Sequence, residues 1–283
     1  MECKYCGSQN LIKRGKFRDK QTYSCKDCGH KFVDNGNYVR MRTNKRTIVT
    51  ALDLYFEGLS VRKIKRQMQK IFGIEITQVS IWKWVKKYSE LVKGYVDTLK
   101  LEHHSGEFHA DETVVFCDGV ERWFWEIIDE KTKFMLASHL SDVRKVEDAE
   151  KLFREAKMRI KEMPQHIYTD GLQAYGAGFK WTFYSSGTEL VQSVGINSRV
   201  TNNVVERLHG TLKDRLKTTR GLETADAMLK GWFVHYNFVR PHQSLNGKTP
   251  AEVAGINLNI NDGWSDLIEL ATKYQATNNS NGV

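Results

Sequence analysis

The chain has little proline, three residues in 283, and no low-complexity tract, which argues against long disordered linkers. It has no apolar run near the ~20 residues that span a bilayer. Its first residues, Met1-Glu2-Cys3-Lys4, lack the apolar stretch of a secretory signal. The expectation is a cytoplasmic protein with no membrane partner. Cysteine is scarce too, five residues, and a cytoplasmic setting disfavours disulfides. What remains is ordinary: 40% hydrophobic and 27% charged residues, the composition of a soluble globular chain with room for one large domain and one or two small ones.

Charge is abundant but unevenly placed. Residues 1–100 carry 22 Lys/Arg against 9 Asp/Glu, whereas the remainder carries 21 against 25. A basic front half suits phosphate contacts and salt-dependent binding, and a slightly acidic back half suits metal. A solvated surface is the alternative, and charge alone does not decide between them.

Four of the five cysteines form two close pairs, Cys3/Cys6 and Cys25/Cys28, with eighteen residues between them. That spacing matches a four-thiolate zinc site. Each pair is followed by glycine (Gly7, Gly29), which lets the backbone curl around a metal-bound sulfur. The intervening Leu11–Lys16 and Thr22–Cys25 read as a short β-ribbon, so residues 1–36 form a zinc ribbon, too small to fold without its single Zn2+. Cys117, alone in an apolar strand context, reads as a buried small hydrophobe.

Residues 44–96 turn helical. Ile48, Leu52 and Tyr55 mark one apolar stripe, and Val61, Ile64, Met68 and Ile71 a second. Ile81, Trp84, Val85 and Tyr88 mark a third. Gly58-Leu59-Ser60 separates the first two helices, with Ser60 as N-cap, and Thr77 caps the third. The last helix offers Gln78, Lys83, Lys86 and Lys87 on its other face, and the second is also basic (Arg62, Lys63, Lys65, Arg66, Lys70). This pattern fits a helix-turn-helix whose third helix enters a DNA major groove; a plain helical spacer or dimer contact is the competing reading. Trp82 and Trp84 read as packing residues.

From Gly106 the period changes. Phe108–Phe116, Trp123–Ile128 and Phe134–Leu140 read as an antiparallel meander. Asp118-Gly119 and Asp129-Glu130-Lys131 supply its turns. A helix over Lys145–Met163 ends at Pro164. A fourth strand, His166–Thr169, follows, then a short helix over Leu172–Phe179. Trp181–Tyr184 and Leu190–Val194 suggest a further strand or two, and a long helix runs from about Asn202 to Thr218. Within this order three acids stand out. Asp111 lies on the first strand, where an unpaired carboxylate would be costly. Asp170 ends the fourth strand. Glu206 opens the long helix, with Arg207 beside it and Lys213 two turns further on nearly the same face. The intervals are 58 residues between the aspartates and 35 between Asp170 and Glu206. Glu112 adjoins Asp111, but strand alternation turns it to the other face. His109 shares the face of Asp111 and reads as a supporting residue. Asp129 reads as a turn residue, and His242 as either a DNA contact or the lock of a helix–loop junction. Over residues 256–283, Trp264, Leu267, Ile268, Ala271 and Tyr274 share one helical face, suited to packing on the core or to a partner subunit, and Ala276–Val283 should fray.

The βββαβαβα order resembles the ribonuclease-H-like fold, a mixed α/β sheet flanked by helices. The motifs His109-Ala110-Asp111-Glu112-Thr113, Tyr168-Thr169-Asp170-Gly171 and Asn203–Lys213 resemble the DDE transposases of bacterial and archaeal insertion sequences, kin to retroviral integrases. Tyr236–Leu245, leading to Lys248-Thr249-Pro250-Ala251-Glu252, adds to the likeness, which covers residues 105–255. The resemblance implies that Asp111, Asp170 and Glu206 hold two Mg2+ or Mn2+ ions that activate first water and then a 3′-hydroxyl, and that Lys213 holds a phosphate near the scissile bond. It implies an enzyme of the nucleoid that binds double-stranded DNA as a homodimer or larger assembly. Such an enzyme would cleave the 3′ ends of its element and transfer them to target DNA. A zinc-ribbon DNA-binding regulator with a silent core and a structure-selective nuclease of the same fold are the alternatives.

Overall fold

The computed structural model describes residues 1–17, 20–34, 36, 38, 39, 41–117, 119–193, 203–218 and 225–280. In chain order its elements are β1 (Leu11–Phe17), β2 (Lys20–Cys25), β3 (Lys31–Val33), α1 (Lys45–Phe56), α2 (Val61–Phe72), α3 (Gln78–Val96), β4 (Glu107–Cys117), β5 (Val120–Asp129), β6 (Met135–Ser141), α4 (Val146–Arg159), β7 (His166–Asp170), α5 (Gln173–Phe183), β8 (Glu189–Ser193), α6 (Asn203–Leu216), α7 (Ala225–Val234), α8 (Pro250–Val253) and α9 (Gly263–Ser280). Two compact units result, Met1–Val96 with Ile260–Val283, and Asp97–Asn259. No helix among the described residues is long and apolar enough to cross a membrane.

In the first unit β1, β2 and β3 form an antiparallel ribbon. The helices after it start where short polar side chains satisfy free backbone donors. Asn44 Oδ1 accepts from Arg46 N at 2.8 Å, Ser60 Oγ from Lys63 N at 3.4 Å and Thr77 Oγ1 from Ser80 N at 3.0 Å. Gly73 ends α2 at φ 64°, the left-handed position that glycine adopts without a Cβ penalty. Ile48, Leu52, Ile64, Met68, Ile81, Trp84, Val85 and Tyr88 are buried as their spacing predicts. Ile71 is not: it is 65% exposed near the end of α2, whose core face has run out after Met68. The stripe on α9 is filled by contacts within the unit. Trp264, Leu267, Ile268 and Ala271 are buried, the helix packs on α3 and α1, and Trp264 stacks on Phe56 at 5.1 Å. The helix α9 runs to Ser280, and residues 281–283 of the segment expected to fray lie outside the described residues.

The second unit is built on a five-stranded sheet in the order β6-β5-β4-β7-β8. The meander β4-β5-β6 is antiparallel, and β7 and β8 join in parallel register, β7 directly beside β4. Strand alternation shows how helices cover both faces. Trp125 meets Tyr175 of α5 edge-on at 5.4 Å. Its neighbour Glu126 points the other way, to His209 of α6. Gly178 is what lets α5 press onto α4, because a Cβ there would lie 2.7 Å from the Glu150 backbone nitrogen. The exposed edge of β6 is closed by one side chain. Asn237, in a π-helical turn over His235–Val239, accepts from Met135 N and donates to Met135 O, both at 2.9 Å, as a neighbouring strand would.

Two expectations change. Trp181–Phe183 is the last turn of α5 and not a strand. Its aromatic content resembles a strand, but Tyr175, Phe179 and Phe183 lie four residues apart and all pack on Phe153, a helical spacing that tertiary contact selects. Trp181 and Tyr184 are left exposed. The further strand is β8 alone; Val194, assigned to it, lies outside the described residues, as do Asp118 of the first turn and Asn202. Asp129 organises its turn from a fully buried position, accepting from Ser105 N, Ser105 Oγ, Thr132 N and Thr132 Oγ1 at 2.5–2.8 Å.

Candidate metal centres and nucleic-acid face

The four ribbon cysteines come together. Their sulfurs lie within 4.8 Å of one another, with Cys3–Cys28 and Cys6–Cys25 each at 3.6 Å. This is far too long for a disulfide, about 2.05 Å, and close to the ~3.8 Å between ligands of a tetrahedral zinc thiolate with 2.3 Å bonds. Gly7 and Gly29 take φ of 77° and 71°, and their N–H groups return to the carbonyls of Cys3 and Cys25 at 2.9 and 3.1 Å. Burial raises the Cys25 thiol, but the N–H groups of Cys28 and Asp27 and the facing thiols outweigh it, bringing it down to about 7. A cysteine so tuned is readily a thiolate ligand. Cys117 is buried and donates to Val115 O at 4.0 Å.

On the second unit, β4 and β7 set two aspartates side by side. Pairing of Glu107–His109 with His166–Tyr168 fixes their relative register, and Asp111 and Asp170 each lie two residues beyond the last pair. Asp170 Oδ1 accepts from Leu172 N at 2.9 Å, so the same carboxylate that ends the strand turns the chain into α5. One oxygen each from Asp111, Glu112 and Asp170 falls within a 4.8 Å cluster. Alternation sends Asp111 and Glu112 off opposite faces, yet the longer Glu112 side chain still brings an oxygen to the group. That carboxylate is held by the Tyr175 hydroxyl at 2.7 Å and by Arg144 at 3.1 Å, with Arg144 lying over the Trp123 ring at 4.0 Å. Such gathered acids suit a hard divalent cation with oxygen ligands.

Glu206 is not in that cluster among the described residues. It is exposed in the first turn of α6, and Arg207 and Lys213 are exposed on the same helix. What α6 turns inward is Val205, Leu208, His209, Leu212 and Arg215. His209 Nε2 lies 2.9 Å from Glu126 Oε2, and its Nδ1 lies 3.9 Å from Asp111 Oδ2. Burial opposes a charge on His209, but its contact with Glu126 prevails and its pKa rises. Glu126, fully buried, is raised by that burial. Neither residue belongs to the acid motif. The signal available in sequence was a lone charge inside the apolar run Trp123–Ile128, and a histidine one helical turn after Glu206. His109 is buried and stacks on Tyr168 at 4.9 Å. His242 packs edge-on to Tyr236 at 4.7 Å with a ring nitrogen 3.3 Å from the Tyr236 carbonyl, which is the junction lock.

Burial pushes the Asp111 carboxyl up to about 6, with Glu112 and Asp170 adding to the rise and His209 opposing it. The fold therefore binds this proton more tightly than the unfolded chain does, and the cost of ionising Asp111 sets in above pH ~4 and is complete above pH ~6. In metal-free protein at pH 8, Asp111→Asn should raise stability by roughly 3 kcal/mol, while at pH 4 the variant should match the parent. Chemical denaturation at the two pH values measures this; equal stabilities at pH 8 would contradict it.

The first unit presents a basic face. Gln78, Lys83, Lys86 and Lys87 are exposed along α3, and Arg62, Lys63, Lys65, Arg66 and Lys70 along α2. Trp84 is buried, and Trp82 lies 6.1 Å from the Tyr55 ring, so both pack within the unit.

Residues 105–242 match a family model described as a DDE domain. No curated protein is similar in sequence. Among solved structures, the HTLV-2 integrase catalytic core domain in complex with magnesium (trimeric form) is similar at 18% identity, covering 55% of this chain and 97% of that one with a TM-score of 0.43. The simian T-cell lymphotropic virus intasome in complex with PP2A regulatory subunit B56 gamma is similar at 15% identity over 72% of this chain and 73% of that one, with a TM-score of 0.42. The catalytic core domain of BIV integrase is similar at 20% identity over 54% and 95%, with a TM-score of 0.41.

Proposed function

From a chain that belongs to the DDE transposases through residues 105–242, we propose a DNA transposase that binds the terminal inverted repeats of its own element, cleaves their 3′ ends and transfers them to target DNA. The observation that carries this reading is the meeting of Asp111 and Asp170 from adjacent parallel strands, both inside the DDE domain.

Asp111, Asp170 and Glu206 would hold Mg2+ or Mn2+, with Glu206 supplied from α6. Bound divalent ions make an oxygen nucleophilic and stabilise the leaving oxygen without a general base. The chain's own part is placement. The β4–β7 register holds the two aspartates, Arg144 and Tyr175 hold Glu112 beside them, and Lys213, two turns after Glu206, binds a phosphate of the strand to be cut. The basic faces of α2 and α3 bind the duplex, and the zinc ribbon joins them in reading the ends. Because two ends must be joined in one event, the working form is at least a homodimer on DNA.

The test uses zinc-loaded protein, a duplex ending in the element's own inverted repeat, and Mg2+. Nicked 3′ ends and joined products are expected. Binding of the ends with no nicking would overturn the reading in favour of a DNA-binding regulator, which the exposed position of Glu206 favours. Nicking with no joined product would instead leave a nuclease.

A further inference from the structure

A buried Glu126–His209 contact lies beside the acid cluster and is not itself part of it. Glu126 is the register partner of Asp111 across β4 and β5, so both side chains leave the sheet on the same face. Glu126 is fully buried, and the group facing it is His209 of α6, at 2.9 Å. The other ring nitrogen of His209 faces Asp111 at 3.9 Å. The imidazole therefore stands between two carboxylates, one in the core and one at the site. It is also the one ionisable group among the inward residues of the first three turns of α6, the others being Val205, Leu208 and Leu212, while Arg215, buried in the last turn, donates to Thr218 Oγ1 at 2.7 Å. Apolar contacts allow a helix to slide or rotate over a sheet at little cost, whereas an ion pair at one point sets both rotation and translation. Glu206 lies three residues before His209, next to it on the helix surface.

We propose that His209, anchored by Glu126, is a positioning residue: it orients the Asp111 carboxylate and sets the seating of α6 on the β4–β5 pair, and through that seating the place of Glu206. This rests on the reading of Asp111 and Asp170 as ligands of a divalent ion. A carboxylate–histidine pair behind a ligand orients it and holds its charge ready, and loss of such support typically weakens metal binding by roughly 10- to 100-fold. Glu126 and His209 thus act through the geometry of the site, not by contact with DNA.

The test is titration of the full, zinc-loaded chain with Mn2+, free ion being read by electron paramagnetic resonance, with no DNA present. The double variant Asp111→Asn/Asp170→Asn defines binding at the site. Glu126→Leu/His209→Leu replaces the ion pair by apolar volume, a change that leaves stability near the parent's or above it; its Mn2+ affinity is expected to fall roughly 10- to 100-fold with the melting temperature kept. Glu126→Gln/His209→Asn keeps an N–H where Nδ1 stood and should recover most of that loss, whereas Glu126→Gln/His209→Ala should not. A folded Leu pair that binds Mn2+ within about two-fold of the parent would overturn the positioning role. If the Leu pair does not fold, equal affinities of the Asn and Ala variants overturn it instead. A parent chain that binds no more Mn2+ than Asp111→Asn/Asp170→Asn overturns the metal reading itself.

Discussion

Asp170→Asn should lower strand cleavage by roughly 1,000-fold or more while leaving duplex binding within about two-fold of the parent. The two effects separate because the substitution keeps the shape and removes the charge. The amide oxygen of the replacement side chain can still accept from Leu172 N, the 2.9 Å bond that turns β7 into α5, so the strand end and the helix start keep their geometry. What goes is one of the negative charges gathered with Asp111 and Glu112. With Asp111 and Glu206 alone to hold them, divalent ions would bind less well and be less well placed, and phosphoryl transfer depends on both. In the proposed function, duplex binding draws on the Lys and Arg side chains of α2 and α3, which the substitution does not touch, and it should weaken steeply with added salt in parent and variant alike. A gel-based cleavage assay beside a binding titration measures both. Cleavage at the parent rate would remove Asp170 from the reaction.

Removing zinc should unfold the ribbon and leave the five-stranded sheet standing. The core of residues 1–34 is built around the thiols: Cys3, Cys25 and Phe32 are buried, with Tyr5, Cys6, Leu11, Tyr23 and Cys28 packed against them. Without the ion, four sulfurs within 4.8 Å of one another have nothing to hold them, and few apolar side chains remain to repay the ordering of the chain. Structural zinc of this kind supplies on the order of 10 kcal/mol. Cys25→Ser, or chelation of the parent, should abolish amide-exchange protection across β1, β2 and β3, while β4, β5 and β7 stay protected. One zinc per chain is expected by metal analysis. Ribbon amides that remain protected after the metal is stripped would contradict this account.

Much of this was legible because it is local. The thiol pairs carry their own spacing, and each forms its own turn, so Cys3, Cys6, Cys25 and Cys28 could be named as a set. Ser60 and Thr77 act within three residues of themselves. The meander β4-β5-β6 follows from alternation and two short turns, and Asp170 at a strand end follows from the Gly that succeeds it. Where two local signals conflicted, the sequence misled. Trp181–Tyr184 is aromatic enough for a strand, but Phe153 on α4 collects Tyr175, Phe179 and Phe183 at helical spacing. Ile71 fits the stripe of α2, but Met68 is the last buried position of that helix and Ile71 is exposed.

The pairing of Asp111 with Asp170 followed from the family resemblance, whereas residue type and spacing alone marked the thiolate set and the helical basic module. They did so because those features depend on neighbours in the chain. Only the fold decided which polar groups stand behind Asp111. Glu126 lies across a strand pair and His209 on a helix more than eighty residues further along, and no periodicity links them. Their meeting depends on β5 pairing with β4 and on α6 crossing that pair, and a charged residue inside Trp123–Ile128 is tolerable only once its partner has arrived from elsewhere.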